Sequence, residues 1–132
     1  MSGFRFDPGL LPVAARSPCS GGLGPMQGGP RAMEDAPHYD GVVAEVRAWL
    51  DGRLADLVAA GIAPERVVVD PGIGFGKRLE DNLELLRDPA RVRAGGRPLL
   101  VGASRKRFLG TLLDEPDPER RIEAAPAVAA HC

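Results

Sequence analysis

Hydrophobic positions along this chain follow two periods, and the changes of period mark its elements. Between residues 40 and 60, Val42, Val43, Val46, Trp49, Leu50, Leu54, Leu57 and Val58 recur at three- and four-residue spacing, which predicts a helix with one apolar face. Asp40 is placed to cap it and Gly61 to end it. Ala63-Pro64-Glu65-Arg66 then turns the chain into Val67-Val68-Val69, a β-branched run that predicts a short buried strand stopping at Asp70. Leu79, Leu83, Leu86 and Val92 predict a second helix from about residue 80, broken or bent near Pro89 and closed by Gly95-Gly96. Residues 98–101 form the next apolar run and predict a strand, followed by a loop and a short helical turn over 104–113.

The flanks are less regular. Asp7-Pro8 ahead of Leu10, Leu11, Val13, Ala14 and Ala15 has the form of a cap, a first-turn proline and a short helix, which Pro12 weakens. Residues 19–27 offer no usable strand, because Gly21, Gly22, Gly24 and Pro25 remove side-chain packing and a ladder donor. Residues 18–38 therefore read as a loose Gly/Pro-rich segment within one domain spanning 1–132. Asp117-Pro118 opens a last helix through Ile122, Ala125 and Val128, with Pro126 inside it at a cost of about 3 kcal/mol.

The sum is an α/β fold with parallel strands: three to four βα units, part of a (βα)8 barrel without the strands to close it. Asp70 and Ser104 end consecutive apolar runs about thirty residues apart, room for one loop, one helix and a return. Ligands in such folds meet the carboxyl ends of the strands.

Composition narrows the partners. With 132 residues, 44% hydrophobic and 27% charged, the chain can build one modest core. A net charge of −1, with basic residues dispersed except at Arg105-Lys106-Arg107, argues against nucleic acid. No apolar stretch approaches the roughly 20 residues of a membrane span, and the first residues lack a secretory pattern, so the expected location is the cytoplasm. Cys19 and Cys132 lie too far apart, and are too few, for a disulfide scaffold or metal-ligand spacing; both read as free thiols. No His/Cys cluster supports a protein-held metal, and no nucleophile stands beside a base. His38 reads as surface or capping chemistry.

Two strand ends carry the candidate chemistry. An ionised Asp70 before Pro71-Gly72 is acceptor-only and can take two N–H donors from a flat heterocycle; it can equally cap the turn that follows. Gly72-Ile73-Gly74-Phe75-Gly76-Lys77 is not a P-loop, since Pro71 stands where the first glycine belongs and no Ser or Thr follows Lys77; nor is it G-x-G-x-x-G. Its glycines permit close backbone approach and leave Phe75 to cover a ring or to be buried. Ser104-Arg105-Lys106 sets a hydroxyl, a guanidinium and an ammonium beyond the second strand, suited to a carbonyl, carboxylate or phosphate, or to a solvated basic turn.

Taken together, residues 70–77, Asn82-Leu83-Glu84-Leu85-Leu86 and residues 98–106 closely resemble dihydropteroate synthase, the family of folate biosynthesis. Met26-Gln27-Gly28 resembles its Met-Gln-Gly loop and residues 4–16 its fourth helical unit, so the likeness covers nearly all of this chain but only the C-terminal part of the family's length. The resemblance implies a (βα)8 transferase that joins 4-aminobenzoate to 6-hydroxymethyl-7,8-dihydropterin diphosphate, releasing diphosphate with magnesium. It implies that Asp70 accepts the pterin's amino and ring N–H groups, Lys106 donates to its carbonyl and ring nitrogen, Met26 packs on it and Gly102 allows its approach. Phe75, Ser104 and Arg105 would border the aminobenzoate path. A homodimer is compatible with the resemblance.

This sequence departs from the family pattern in several places. The opening half is absent, with its magnesium-binding Asn and the loops over the diphosphate; so is the closing Arg-x-His-Asp strand. An apolar strand with a His is replaced by Gly21-Gly22-Leu23-Gly24-Pro25. The expectation is a partial-length enzyme with impaired turnover. The alternatives are a non-catalytic pterin-binding remnant and the pterin domain of a folate-dependent methyltransferase, the latter disfavoured by Ser104-Arg105-Lys106.

Overall fold

The computed structural model describes residues 9–25 and 38–132. Met26 and the proposed Asp7-Pro8 cap therefore lie outside the described residues. The first helix, α1, is Leu10–Arg16 with Gly9 as its N-cap. Pro12 sits at the third helical position, where the backbone N–H has no intrahelical acceptor to lose, so it does not break the helix.

The expectation of no strand over residues 19–27 is overturned. Gly21–Leu23 forms β1, paired in parallel with β2 at Val67–Val69 in the register Gly21↔Val67, Gly22↔Val68 and Leu23↔Val69. Leu23 supplies the side chain that anchors it, at 1% exposure, so one buried leucine and the ladder suffice where the glycines contribute no packing. Of residues 18–38, positions 26–37 lie outside the described set.

The third run pairs beside β2 through a single parallel bridge, Val69↔Leu99. Val69 N–H donates to Pro98 O at 2.9 Å and Leu100 N–H to Val69 O at 2.8 Å. The predicted strand over 98–101 stops at this rung for a chemical reason. Parallel register requires the next donors to be the N–H groups of Pro98 and Pro71, which proline does not have. Three parallel segments thus stand side by side in chain order.

The long helix, α2, is Val42–Ala59, and it seats Val42, Val46, Leu50, Leu54 and Leu57 in the core with Leu23, Val67 and Val69. Each such side chain contributes about 1.5–3 kcal/mol. Asp40 does not cap it: Glu45 Oε1 accepts from the N–H groups of Asp40 and Gly41 at 2.9 and 3.0 Å, while the Asp40 carboxylate pairs with His38. The C-terminus closes as read, with Gly61 at φ +88°. Gly61 N–H bonds Val58 O and Ile62 N–H bonds Leu57 O, a Schellman arrangement.

Helix α3, Leu79–Arg87, buries Asn82, Leu85 and Leu86, whereas Leu83 remains 37% exposed. The apolar stripe read through Leu83 is therefore rotated; the inward face is the one that carries Asn82. Helix α4 is Arg107–Leu113. The predicted last helix is two pieces, a 3-10 segment Pro118–Ala124, capped by Asp117 accepting from Glu119 N–H, and α5 at Ala125–His131. This division puts Pro126 in the first turn of α5, where it costs no hydrogen bond. Among the described residues no helix is long and apolar enough to cross a membrane, and both cysteines are free and exposed.

Candidate functional site

The site grows from the end of β2. Asp70 N–H donates to Leu23 O at 2.7 Å, so the last rung of the β1–β2 ladder fixes the backbone of Asp70 itself. Its carboxylate then turns onto the following loop, where Oδ1 accepts from Gly72 N–H at 2.7 Å. A carboxylate offers about four acceptor positions, so that bond leaves capacity for donors of a ligand. Gly24 lies against it: a Cβ there would come within 3.3 Å of Asp70 Cβ and O. The glycine tract that looked damaging in sequence is thus what lets β1 end against Asp70.

The loop over residues 72–76 is built on positive-φ glycines, and two of them have contacts that exclude a side chain. At Gly72, φ +71°, a Cβ would meet Pro25 O at 2.5 Å; at Gly74, φ +75°, it would meet Lys106 Cδ at 2.8 Å. The stem of Lys106 therefore crosses the bare backbone of Gly74, and its ammonium rests over the Phe75 ring, 3.3 Å from the centroid. Two loops from neighbouring parallel segments are joined at one rim by this contact. Asp70 and Lys106 also lie within electrostatic reach of each other.

Burial sets the protonation behaviour. Desolvation pushes the Asp70 carboxyl above its ordinary range, opposed by the Gly72 N–H bond and the charges of Lys106 and Lys77. Lys106 is lowered by burial and partly restored by Asp70. Lys77 is pushed down to about 8 by burial, against the pull of Asp70 and Asp81 and with repulsion from Lys106. Its ammonium donates to Gly72 O at 2.9 Å and Phe75 O at 3.1 Å and lies 5.5 Å from the Tyr39 ring centroid. Tyr39 is raised to about 12 by burial, then by Glu45 and Asp81.

A pH test follows from Lys77. Between about 8 and the usual 10.5, the unfolded chain holds the proton and the folded one does not, so stability rises with pH there, at most about 1.4 kcal/mol per pH unit. Urea midpoints measured from pH 7.5 to 9.5 should climb more steeply for the wild type than for Lys77→Met. Identical slopes would contradict this burial.

Other predicted residues take outer positions. Gly102 is exposed, with open space where a Cβ would stand. Ser104 is exposed on the turn before α4. Arg105 adopts φ +58° and pairs with Glu119 Oε1 at 2.9 Å on the surface. The structure therefore sets Lys106 over Phe75 and within electrostatic reach of Asp70, and leaves Ser104 and Arg105 exposed outside that cluster.

Sequence reasoning passed over Lys77 and Asn82 as site residues. Asn82 Oδ1 accepts from Gly74 N–H at 2.6 Å and its Nδ2 donates to Arg78 O at 2.7 Å, fastening the loop to α3. Asp81 closes the same corner by accepting from Arg78 N–H at 2.9 Å and from the Arg78 guanidinium. Burial alone would raise Asp81, but the bonds and charge of Arg78, with Lys77, hold it below the usual range. The available signal was a polar residue at helical spacing from Leu79, Leu85 and Leu86, which marks a buried hydrogen-bonding group.

The model of the pterin binding enzyme family matches residues 1–132. Dihydropteroate synthase of Escherichia coli (strain K12) is 44% identical over 123 residues, 93% of this chain and 43% of that protein. The Synechocystis protein of the same name is 38% identical over 122 residues, 92% and 42% of the two lengths. The crystal structure of dihydropteroate synthase from Stenotrophomonas maltophilia with active site-bound imidazole superposes with a TM-score of 0.92 at 40% identity, over 98% of this chain and 48% of that one. The Xanthomonas albilineans enzyme in complex with 7,8-dihydropteroate gives a TM-score of 0.87 at 38% identity, over 98% and 46%. The chain thus spans under half the length of these relatives, and its fold is the corresponding part of a (βα)8 barrel.

Proposed function

This chain belongs to the pterin binding enzyme family, and from that premise we propose that it carries the pterin-gripping wall of a dihydropteroate synthase, acting in the cytoplasm on small-molecule substrates. The observation that supports this most is the shared rim: Lys106, on the segment beside the one that bears Asp70, crosses Gly74 to rest over Phe75 and lies within electrostatic reach of the Asp70 carboxylate. An acceptor-only group and a donor-only group on one mouth match a planar bicycle that presents N–H donors on one edge and a carbonyl and ring nitrogen on another.

In this reading Asp70 accepts from the pterin's amino and ring N–H groups and Lys106 leaves the Phe75 face to donate to the opposite edge. Met26 packs on the ring and Gly102 leaves room for it. Phe75, freed of the ammonium, borders the path of 4-aminobenzoate with Ser104 and Arg105. The reaction breaks the bond from the pterin methylene to diphosphate and forms one to the arylamine nitrogen, which loses a proton. Positive charge grows on the methylene, so the chain's contribution is orientation of the ring and a fixed carboxylate.

Magnesium enters such chemistry with the diphosphate. Among the described residues no three His, Cys, Asp or Glu side chains cluster to hold it, and Asp70 is turned to Gly72 and the rim. The described residues therefore do not fit a magnesium site.

Calorimetric titration of this chain with 6-hydroxymethyl-7,8-dihydropterin tests the reading, and one-to-one binding is expected. No heat at millimolar pterin, with the chain folded by circular dichroism, would refute it. A parallel turnover assay with both substrates and magnesium separates a working enzyme from a binding remnant.

A further inference from the structure

We propose that Lys77 is a positioning residue for the pterin grip, clamping the 72–76 loop from behind so that the Asp70 carboxylate and the Phe75 ring keep their working relation. The proposal deepens the pterin reading of Asp70 and rests on it. Its basis is a continuous chain of contacts. Gly72 gives its N–H to Asp70 Oδ1 and its carbonyl to Lys77 Nζ; the same ammonium holds Phe75 O, and the Phe75 ring carries Lys106. Both charged ends of the grip therefore connect through Lys77.

Three further features separate Lys77 from a surface lysine. A Cβ on Gly72 would come within 3.1 Å of Nζ, so the ammonium lies against the residue that the Asp70 carboxylate holds. The Tyr39 ring, buried ahead of α2, covers it at 5.5 Å from the centroid. Its charge also acts on Asp70 in the same sense as that of Lys106, favouring the ionised carboxylate. Two loop carbonyls alone could be satisfied by water or an amide; a desolvated cation adds a field at the acceptor that a ligand's N–H groups must meet.

The experiment is calorimetric titration of the full chain with 6-hydroxymethyl-7,8-dihydropterin, with thermal midpoints read on the same samples. Lys77→Met is expected to weaken binding by about tenfold or more, a change of about 1.4 kcal/mol, at a midpoint near that of the wild type. Lys77→Arg, which keeps charge and donors, is expected to recover affinity to within about threefold of wild type. Where Lys77→Met does not fold, Lys77→Gln carries the test, since it keeps an amide donor and removes the charge. Wild-type affinity in a folded Met or Gln variant overturns the proposal, as does failure of Arg to rescue. Loss of cooperative unfolding in both neutral variants assigns Lys77 to stability and overturns it too. Failure of the wild type itself to bind, or binding unchanged by Asp70→Asn, strikes the pterin reading instead.

Discussion

Asp70→Asn is expected to weaken pterin binding by about 100-fold or more while making the chain somewhat more stable. Asn keeps Oδ1 for Gly72 N–H and so preserves the turn. It replaces the second oxygen with an NH2 group that faces the ligand's own N–H donors. Two charge-assisted bonds at about 1.5–3 kcal/mol each are weakened or lost, and about 3 kcal/mol corresponds to roughly 100-fold. Stability moves the other way, because burial already holds the Asp70 carboxyl above its ordinary range. A group with a raised carboxyl pKa destabilises the folded state above that pKa and ceases to do so as pH falls through it, so a neutral Asn lifts the same burden at every pH. Titration calorimetry and thermal melts check the two halves separately, and a lower midpoint with unchanged affinity would contradict both.

Gly72→Val is expected to cost about 2–5 kcal/mol of folding stability. A β-branched residue at φ +71° bears a penalty of about 1–2 kcal/mol, and its Cβ would stand 2.5 Å from Pro25 O and 3.1 Å from Lys77 Nζ. Pro25 O is backbone and yields only by moving the end of β1, at an overpacking cost of about 1–3 kcal/mol. Gly61→Ala supplies the contrast. It shares the sign of φ, at +88°, yet a Cβ there meets nothing within 4 Å, so only the conformational cost of about 1 kcal/mol remains. Urea midpoints of the two variants should differ widely; similar values would mean that the contact with Pro25 does not constrain the loop.

Where a single apolar period decided the element, the sequence was legible. Helix α2 and strand β2 lie where their spacing puts them, since Val46, Leu50, Leu54 and Leu57 share one face and Val67 and Val69 are both buried. The Gly61 terminus was readable because positive φ is glycine chemistry. Strand β1 was not, because its pairing is long-range: Leu23 reads as a strand residue only once Val69 stands beside it. Propensity penalised the glycines, while the fold uses Gly24 to approach Asp70.

The site was legible as residue types and not as a network. Asp70, Phe75 and Lys106 follow from charged and aromatic groups at strand ends; Lys106 lies over Phe75 and within electrostatic reach of Asp70. Asn82 was hidden by its polarity, since a stripe drawn from apolar residues ran through Leu83 instead. Lys77 was hidden because the P-loop pattern that would have given it a role fails at Pro71 and at the residue after Lys77. Pro126 looked like a breaker because one helix was assumed over a stretch where the chain forms two.

The most direct test of the shared grip is a crystal structure of this chain soaked with 6-hydroxymethylpterin. The account predicts the bicyclic ring lying between the two groups. Asp70 carboxylate oxygens would be within about 3.2 Å of the amino and ring N–H nitrogens, with Lys106 Nζ moved from the Phe75 face onto the opposite edge of the same molecule. A ring held by only one of the two side chains, or bound away from both, would contradict it.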